Sequence, residues 1–138
     1  MCDYNELYEF IDSILPKDYN ITWGDMDELS EDSCGIYLRS GSSDFRRELS
    51  NTVYLDSCNL VLNIHSNKSS TGVLDGNDYA FRARKALLNV VNQLNAKGTI
   101  HILRIDPLGN VNHLGKNIQG IPVYSINFKI LYNYKEVM

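Results

Sequence analysis

The sequence predicts an α+β fold: a leading helix and one long central helix packed on one face of a mostly antiparallel sheet. Three observations carry that reading. From Pro122 to Tyr134 the residues alternate with a period of two. Tyr124, Ile126, Phe128, Ile130, Tyr132 and Tyr134 face one way; Val123, Ser125, Asn127, Lys129, Leu131 and Asn133 face the other. Such alternation belongs to an antiparallel sheet with one covered face. Tyr79, Ala83, Ala86, Leu87, Val90, Val91 and Leu94 recur instead at helical spacing. The elements come in the order helix, strands, long helix, strands, without the regular alternation of a parallel α/β sheet.

The first helix is expected over residues 4–15. Leu7, Phe10, Ile11 and Ile14 share one face, Asp3 is placed to cap it with Glu6 three residues on, and Pro16 stops it. Ile21, Thr22 and Trp23 predict a short strand, residues 25–32 an acidic loop, and residues 35–39 a second strand. Residues 41–51 read as an exposed loop of mixed charge. A long strand follows over residues 53–65. Leu60, Leu62 and Ile64 lie on one face of it, and Asn59, Asn63 and His65 on the other. Val53 and Leu55 fall on the opposite parity, so a bulge near Asp56 and Ser57 is expected. Residues 66–77 are polar and contain glycine, which predicts a second long loop. The central helix then starts at a capping Asn77 and runs to about Asn95, with Gly98 in the left-handed position after its end. A strand at 99–105 and a turn at 106–109 follow. Residues 111–118 fit neither periodicity. Pro122 to Tyr134 is the last strand.

The 138 residues suit one domain spanning 1–138, with no repeat, low-complexity tract or linker. A hydrophobic fraction of 43% and a charged fraction of 22% are ordinary globular values. The net charge of −4 gives no electrostatic footprint for nucleic acid or an anionic membrane. No apolar run approaches the ~20 residues that span a bilayer. Cys2, Cys34 and Cys58 are odd in number and lack metal-ligand spacing, which predicts reduced thiols in a cytoplasm. The acidic start, with Asp3 and Glu6, is unlike a signal peptide.

Little in the sequence points to chemistry. The run from Gly109 to Asn117 looks like a phosphate loop, but five residues separate Gly109 from Gly115. Asn117 also stands where a hydroxyl should, and no helix follows. It reads as a glycine-punctuated hairpin. His65 and His101 sit in predicted strands and could meet across the sheet, though a zinc site needs more ligands. Asp25, Asp27, Glu28, Glu31 and Asp32 form the densest acidic run. It lacks EF-hand spacing and reads as a solvated loop. No nucleophile with a base is visible, so neither a catalytic residue, a metal nor a cofactor is expected.

The surface pattern points to assembly. Ser57, Asn59, Asn63, Ser125, Asn127 and Asn133 make a sheet face of small uncharged polar groups, and charge is depleted at interface centres. Arg46 and Arg47 in the first long loop, Lys68 in the second, and Arg82, Arg84 and Lys85 on the central helix are candidates to meet Asp25, Asp27 and Glu28 of a neighbouring copy. The two loops, of about a dozen residues each, are long for so small a domain and are expected to order only against neighbours.

The chain resembles the small tail-terminator and minor-capsid proteins of tailed phages and phage-like particles. The residues carrying the likeness are Leu7-Tyr8-Glu9-Phe10-Ile11, Leu60-Val61-Leu62-Asn63-Ile64-His65, the helix from Tyr79 through Arg82 to Leu87, and the ending from Gly120 through Asn127 to Tyr132. The resemblance implies a hexameric ring seated on the last ring of major tail tube protein. That ring stops tube growth, offers a docking surface to the head–tail connector or stopper protein, and passes DNA through its lumen without specific binding. A head-completion or stopper protein of the neck is the neighbouring alternative. A small-ligand-binding or nucleotide-binding domain is the alternative from another class.

Overall fold

The computed structural model describes residues 4–24, 26–27, 29–40, 46–47 and 54–134. In chain order the elements are α1 (Tyr4–Ile14), β1 (Asn20–Trp23), β2 (Ser33–Ser40), β3 (Arg46–Arg47), β4 (Tyr54–His65), α2 (Gly72–Leu88), β5 (Val91–Leu94), β6 (Ile100–Pro107), β7 (Asn112–Lys116) and β8 (Pro122–Tyr134). The strands form one sheet in the order β1-β2-β4-β8-β6-β5, with β3 beside β4 and β7 beside β8. Every pairing is antiparallel except that of β1 with β2. The fold is the α+β arrangement expected from the sequence, with both helices on one face.

The central pair β4–β8 sorts the chain into inside and outside. Its register runs unbroken from Asp56 opposite Tyr132 to His65 opposite Val123. Cys58, Leu60, Leu62 and Ile64 therefore point the same way as Tyr124, Ile126, Phe128 and Ile130, and all are buried. Against them α1 packs Leu7, Phe10 and Ile11, and α2 packs Tyr79, Ala80, Ala83 and Leu87. The alternate residues, including Asn59, Val61, Asn63, Ser125 and Asn127, are half-buried on the face without helices.

The expected bulge at Asp56 and Ser57 is absent, since both pair in register with Tyr132 and Leu131. The irregularity lies in β6, where Ile102 faces Tyr132 but Arg104 faces Leu131, leaving Leu103 as the extra residue. The physical reason is the core: Ile100, Ile102 and Ile105 are all buried, and only an inserted residue turns all three inward. Beside the bulge, Asn92 adopts φ 50°. β5 thus follows the same change of parity as its neighbour.

The central helix differs from expectation at both ends. It begins at Gly72, not after Asn77, and ends at Leu88, not near Asn95. Gly72 and Gly76 signal contact here, not a loop. A Cβ on Gly72 would lie 2.0 Å from the Asn67 carbonyl oxygen, and one on Gly76 would lie 2.4 Å from the Tyr124 ring. The second long loop therefore shrinks to residues 66–71. At the other end Val90 remains buried, but Val91 and Leu94 leave the helical stripe to pair with Arg104 and His101. Sheet pairing overrides helical periodicity in this stretch. Gly98 closes the β5–β6 turn, donating to the Asn95 carbonyl at 3.0 Å, and does not cap the helix. Strand β8 has the bounds read from its alternation. Residues 111–118, unassigned from periodicity, contain β7, the outer arm of a hairpin with β8. Asp3 lies outside the described residues, as do residues 41–45 and 48–51 of the first long loop and residues 52–53 after it.

Three substitutions test this packing. Gly76→Ala forces a methyl group against the Tyr124 ring, whose hydroxyl is held on the Val73 carbonyl at 2.7 Å. The expected loss is about 1–3 kcal/mol, seen as a lower urea midpoint. Phe128→Asp places an unpaired charge in the core and is expected to give unfolded or insoluble protein, while Asn127→Asp on the other face folds normally. Identical melting curves for the last two would contradict the assigned parity.

Candidate functional site

The candidate contact residues divide between the two sides of the sheet. On the helix side, Arg82 projects from α2 with its Nη2 2.5 Å and its Nη1 3.1 Å from the two Asp18 carboxylate oxygens. Its Nε lies 2.8 Å from Asp78, one turn earlier. The guanidinium carbon also lies 5.6 Å from the centre of the Tyr79 ring, which stacks on Tyr19 at 4.1 Å. Tyr79 donates to the Pro16 carbonyl at 2.9 Å. Arg82 is thus engaged inside its own chain, fastening the 16–19 segment to α2. The Asp78–Arg82 spacing of four was readable as a helical ion pair; the Asp18 partner, sixty-four residues away, was not.

Opposite the helices, the acidic segment crosses the sheet between β1 and β2. Met26 N–H donates to the Tyr37 hydroxyl at 3.2 Å, and His65 Nδ1 lies 3.2 Å from the Ser30 carbonyl. Tyr37 and His65 alternate with the core residues Ile36 and Ile64, so this crossover lies on the face without helices. Asp27 is exposed, its Oδ1 accepting from Leu29 N–H at 2.9 Å. Glu31 Oε1 accepts from Lys68 N–H at 2.8 Å, which joins two of the candidate segments. Lys68 and Glu31 are exposed. Asn127 is half-buried in the middle of this face, opposite Val61, and its carbonyl accepts from Leu108 N–H at 2.9 Å. Asp25 and Glu28 lie outside the described residues. Arg46 and Arg47 are not simply loop: they form β3 and pair with Leu55 and Tyr54.

The short 66–71 segment is organised within the chain, contrary to the expectation that it orders only against neighbours. The buried Ser66 hydroxyl donates to the Gly72 carbonyl, so the Tyr19 hydroxyl, 3.1 Å away, donates to Ser66. Ser66 N–H reaches the Pro122 carbonyl at 2.9 Å, and its own carbonyl accepts from Asp32 at 2.9 Å. Asn67 donates to the Asp32 carboxylate at 2.9 Å. Through its side chain and backbone together, Ser66 therefore ties the residues leading into β1 and β2 to the start of α2 and β8, a role that sequence spacing does not announce.

The histidine pair does not form. His65 faces Val123 at one end of β8 and His101 faces Asn133 near the other. Among the described residues no group of three or more His, Cys, Asp or Glu side chains is placed to hold a metal ion. Cys34 and Cys58 are buried free thiols; burial pushes Cys34 up to about 12, far from thiolate reactivity. The Gly109–Gly115 run is the β7 arm of a hairpin, with Gly115 at φ 86°. Asn117 Oδ1 shapes the turn back into β8 by accepting from Gln119 and Ile121 N–H. Among the described residues no helix is long and apolar enough to cross a membrane. No protein-family model matches the chain, and no curated protein is significantly similar to it.

The Asp18–Arg82 pair gives a pH signature. The guanidinium holds the Asp18 carboxyl below the usual carboxylate range. A carboxyl lowered in the folded state stabilises the fold above its unfolded value, and that contribution fades as pH falls through the folded one. The pair is about half exposed, so its worth is about 0.5 kcal/mol. Asp18→Asn is expected to lower the urea midpoint near neutral pH and to lose its effect on acidification. A deficit that grows with acid would contradict the pairing.

Proposed function

We propose that this chain is a structural subunit, not an enzyme, of a ring that caps the head-proximal end of a phage or phage-like tail tube and gives the connector a docking surface. The carrying observation is the one-sided fold. Both helices are spent on one face of the sheet, and the opposite face presents Ser57, Asn59, Asn63, Ser125, Asn127 and Asn133, half-buried, small and uncharged. Such a face is soluble alone and costs little to desolvate against another protein. Copies of the chain, the major tail tube protein and a connector or stopper protein are the partners of this reading. A ring closed by head-to-tail contacts uses two different patches per copy. The net charge of −4 suits a lumen that DNA slides through without binding.

The test is negative-stain electron microscopy of the purified protein, alone and with polymerised tail tubes from the same particle. Closed rings on one end of each tube are expected. Rings that bind isolated connectors and ignore tubes would make the chain a stopper of the neck. Protein that binds neither and forms no ring would contradict the proposal.

A further inference from the structure

Arg82 is paired with Asp18 and Asp78 within its own chain; other cations on α2 are not. Phe81, Arg84, Lys85 and Leu88 are spaced i, i+3, i+4, i+7 and so share one face of the helix. Phe81 is 56% exposed, a large aromatic surface left in solvent. Arg84 and Lys85 have no acidic partner among the described residues, and the buried Arg84 Nε lacks a hydrogen-bond acceptor there. Arg84 and Lys85 lie at the middle of the patch, with Phe81 one turn before them and Leu88 one turn after.

The crossover between β1 and β2 has the opposite character. Leu29 is 60% exposed and stands between the exposed carboxylates of Asp27 and Glu31. Neither acid is ion-paired among the described residues. Both patches put an exposed apolar side chain, Phe81 or Leu29, beside two charges, and the charges are opposite in sign. They lie on opposite sides of the sheet, α2 over the core face and the crossover against Tyr37 and His65 on the other. They cannot meet within one molecule.

We propose that the Phe81–Arg84–Lys85–Leu88 face of one copy docks on the Asp27–Leu29–Glu31 crossover of the next. The proposal rests on the reading above that copies join head to tail. Each copy offers one patch and accepts on the other, so the contact repeats around a ring and does not stop at a dimer. Charge sets the pairing and its rate, and the exposed Phe81 and Leu29 side chains supply apolar area to bury.

The experiment crosslinks carboxylates to amines with a carbodiimide in concentrated, low-salt solution, on an equal mixture of unlabelled and nitrogen-isotope-labelled protein. Hybrid crosslinks from Lys85 to Asp27 or Glu31 are expected. Sedimentation of Arg84→Glu/Lys85→Glu protein should show association at about tenfold higher concentration, and adding Asp27→Lys/Glu31→Lys to the same chain should restore it. Phe81→Ser weakens association without touching charge or core, and carries the test if a charge variant misfolds. Protein monomeric at every concentration overturns the proposal, as does association indifferent to these changes. Rings indifferent to charge reversal would keep the ring reading and remove this contact. Reversal-sensitive association without closed rings would keep the contact and remove the ring.

Discussion

Ten consecutive residue pairs between β4 and β8 set the terms for everything else in this protein. Because a strand alternates its side chains, one unbroken register commits five positions of each strand inward and five outward. The inward set is nearly all aliphatic or aromatic and calls for a cover, which α1 and α2 provide. The outward set is too polar to attract that cover. A slip of one residue would exchange the two faces, burying Asn59 and Asn127 and exposing Leu60 and Phe128. The hydrophobic cost of that exchange fixes the register, and with it the sidedness on which the functional reading depends.

Around this ladder the chain uses close approach to fix the second layer. Gly76 lets α2 come down onto the Tyr124 ring, and Gly72 lets it start hard against the Asn67 carbonyl. Ser66, at the end of β4, then bonds to both the Tyr19 hydroxyl and the helix start. The Tyr19–Tyr79 stack and the Arg82–Asp18 pair hold the 16–19 segment over the same helix. Arg82 thereby serves the fold, while Arg84, Lys85, Asp27 and Glu31 form no ion pair among the described residues.

What was legible in the sequence follows from range. β8 and α1 announce themselves because one period runs through each from end to end. The bounds of α2 were hidden because glycine in a polar run means a turn by local rules, whereas Gly72 and Gly76 answer to residues far along the chain. The β6 bulge was misplaced to β4 for a similar reason. Val53 and Leu55 showed a change of parity locally, while the true shift is dictated by which isoleucines of β6 reach the core. Val91 and Leu94 fit the helical stripe, yet belong to an edge strand because Arg104 and His101 offer pairing. Of the candidate contacts, Arg82 has an intrachain partner, Asp18, that spacing cannot reveal because it is remote in sequence. The fold class survived all of this, since it rests on the order and periodicity of elements, not on their ends.

Native-state hydrogen exchange on the dilute protein tests the central claim most directly, that the β4–β8 ladder is the frame on which both faces depend. The slowest amides should lie in β4 from Leu60 to Ile64 and in β8 from Tyr124 to Ile130, opening only with global unfolding, while β5 and β7, each paired on one side, open earlier. If β4 and β8 exchange as readily as β5 and β7, the ladder does not govern the fold, and the division into a helix-covered face and a polar face falls with it.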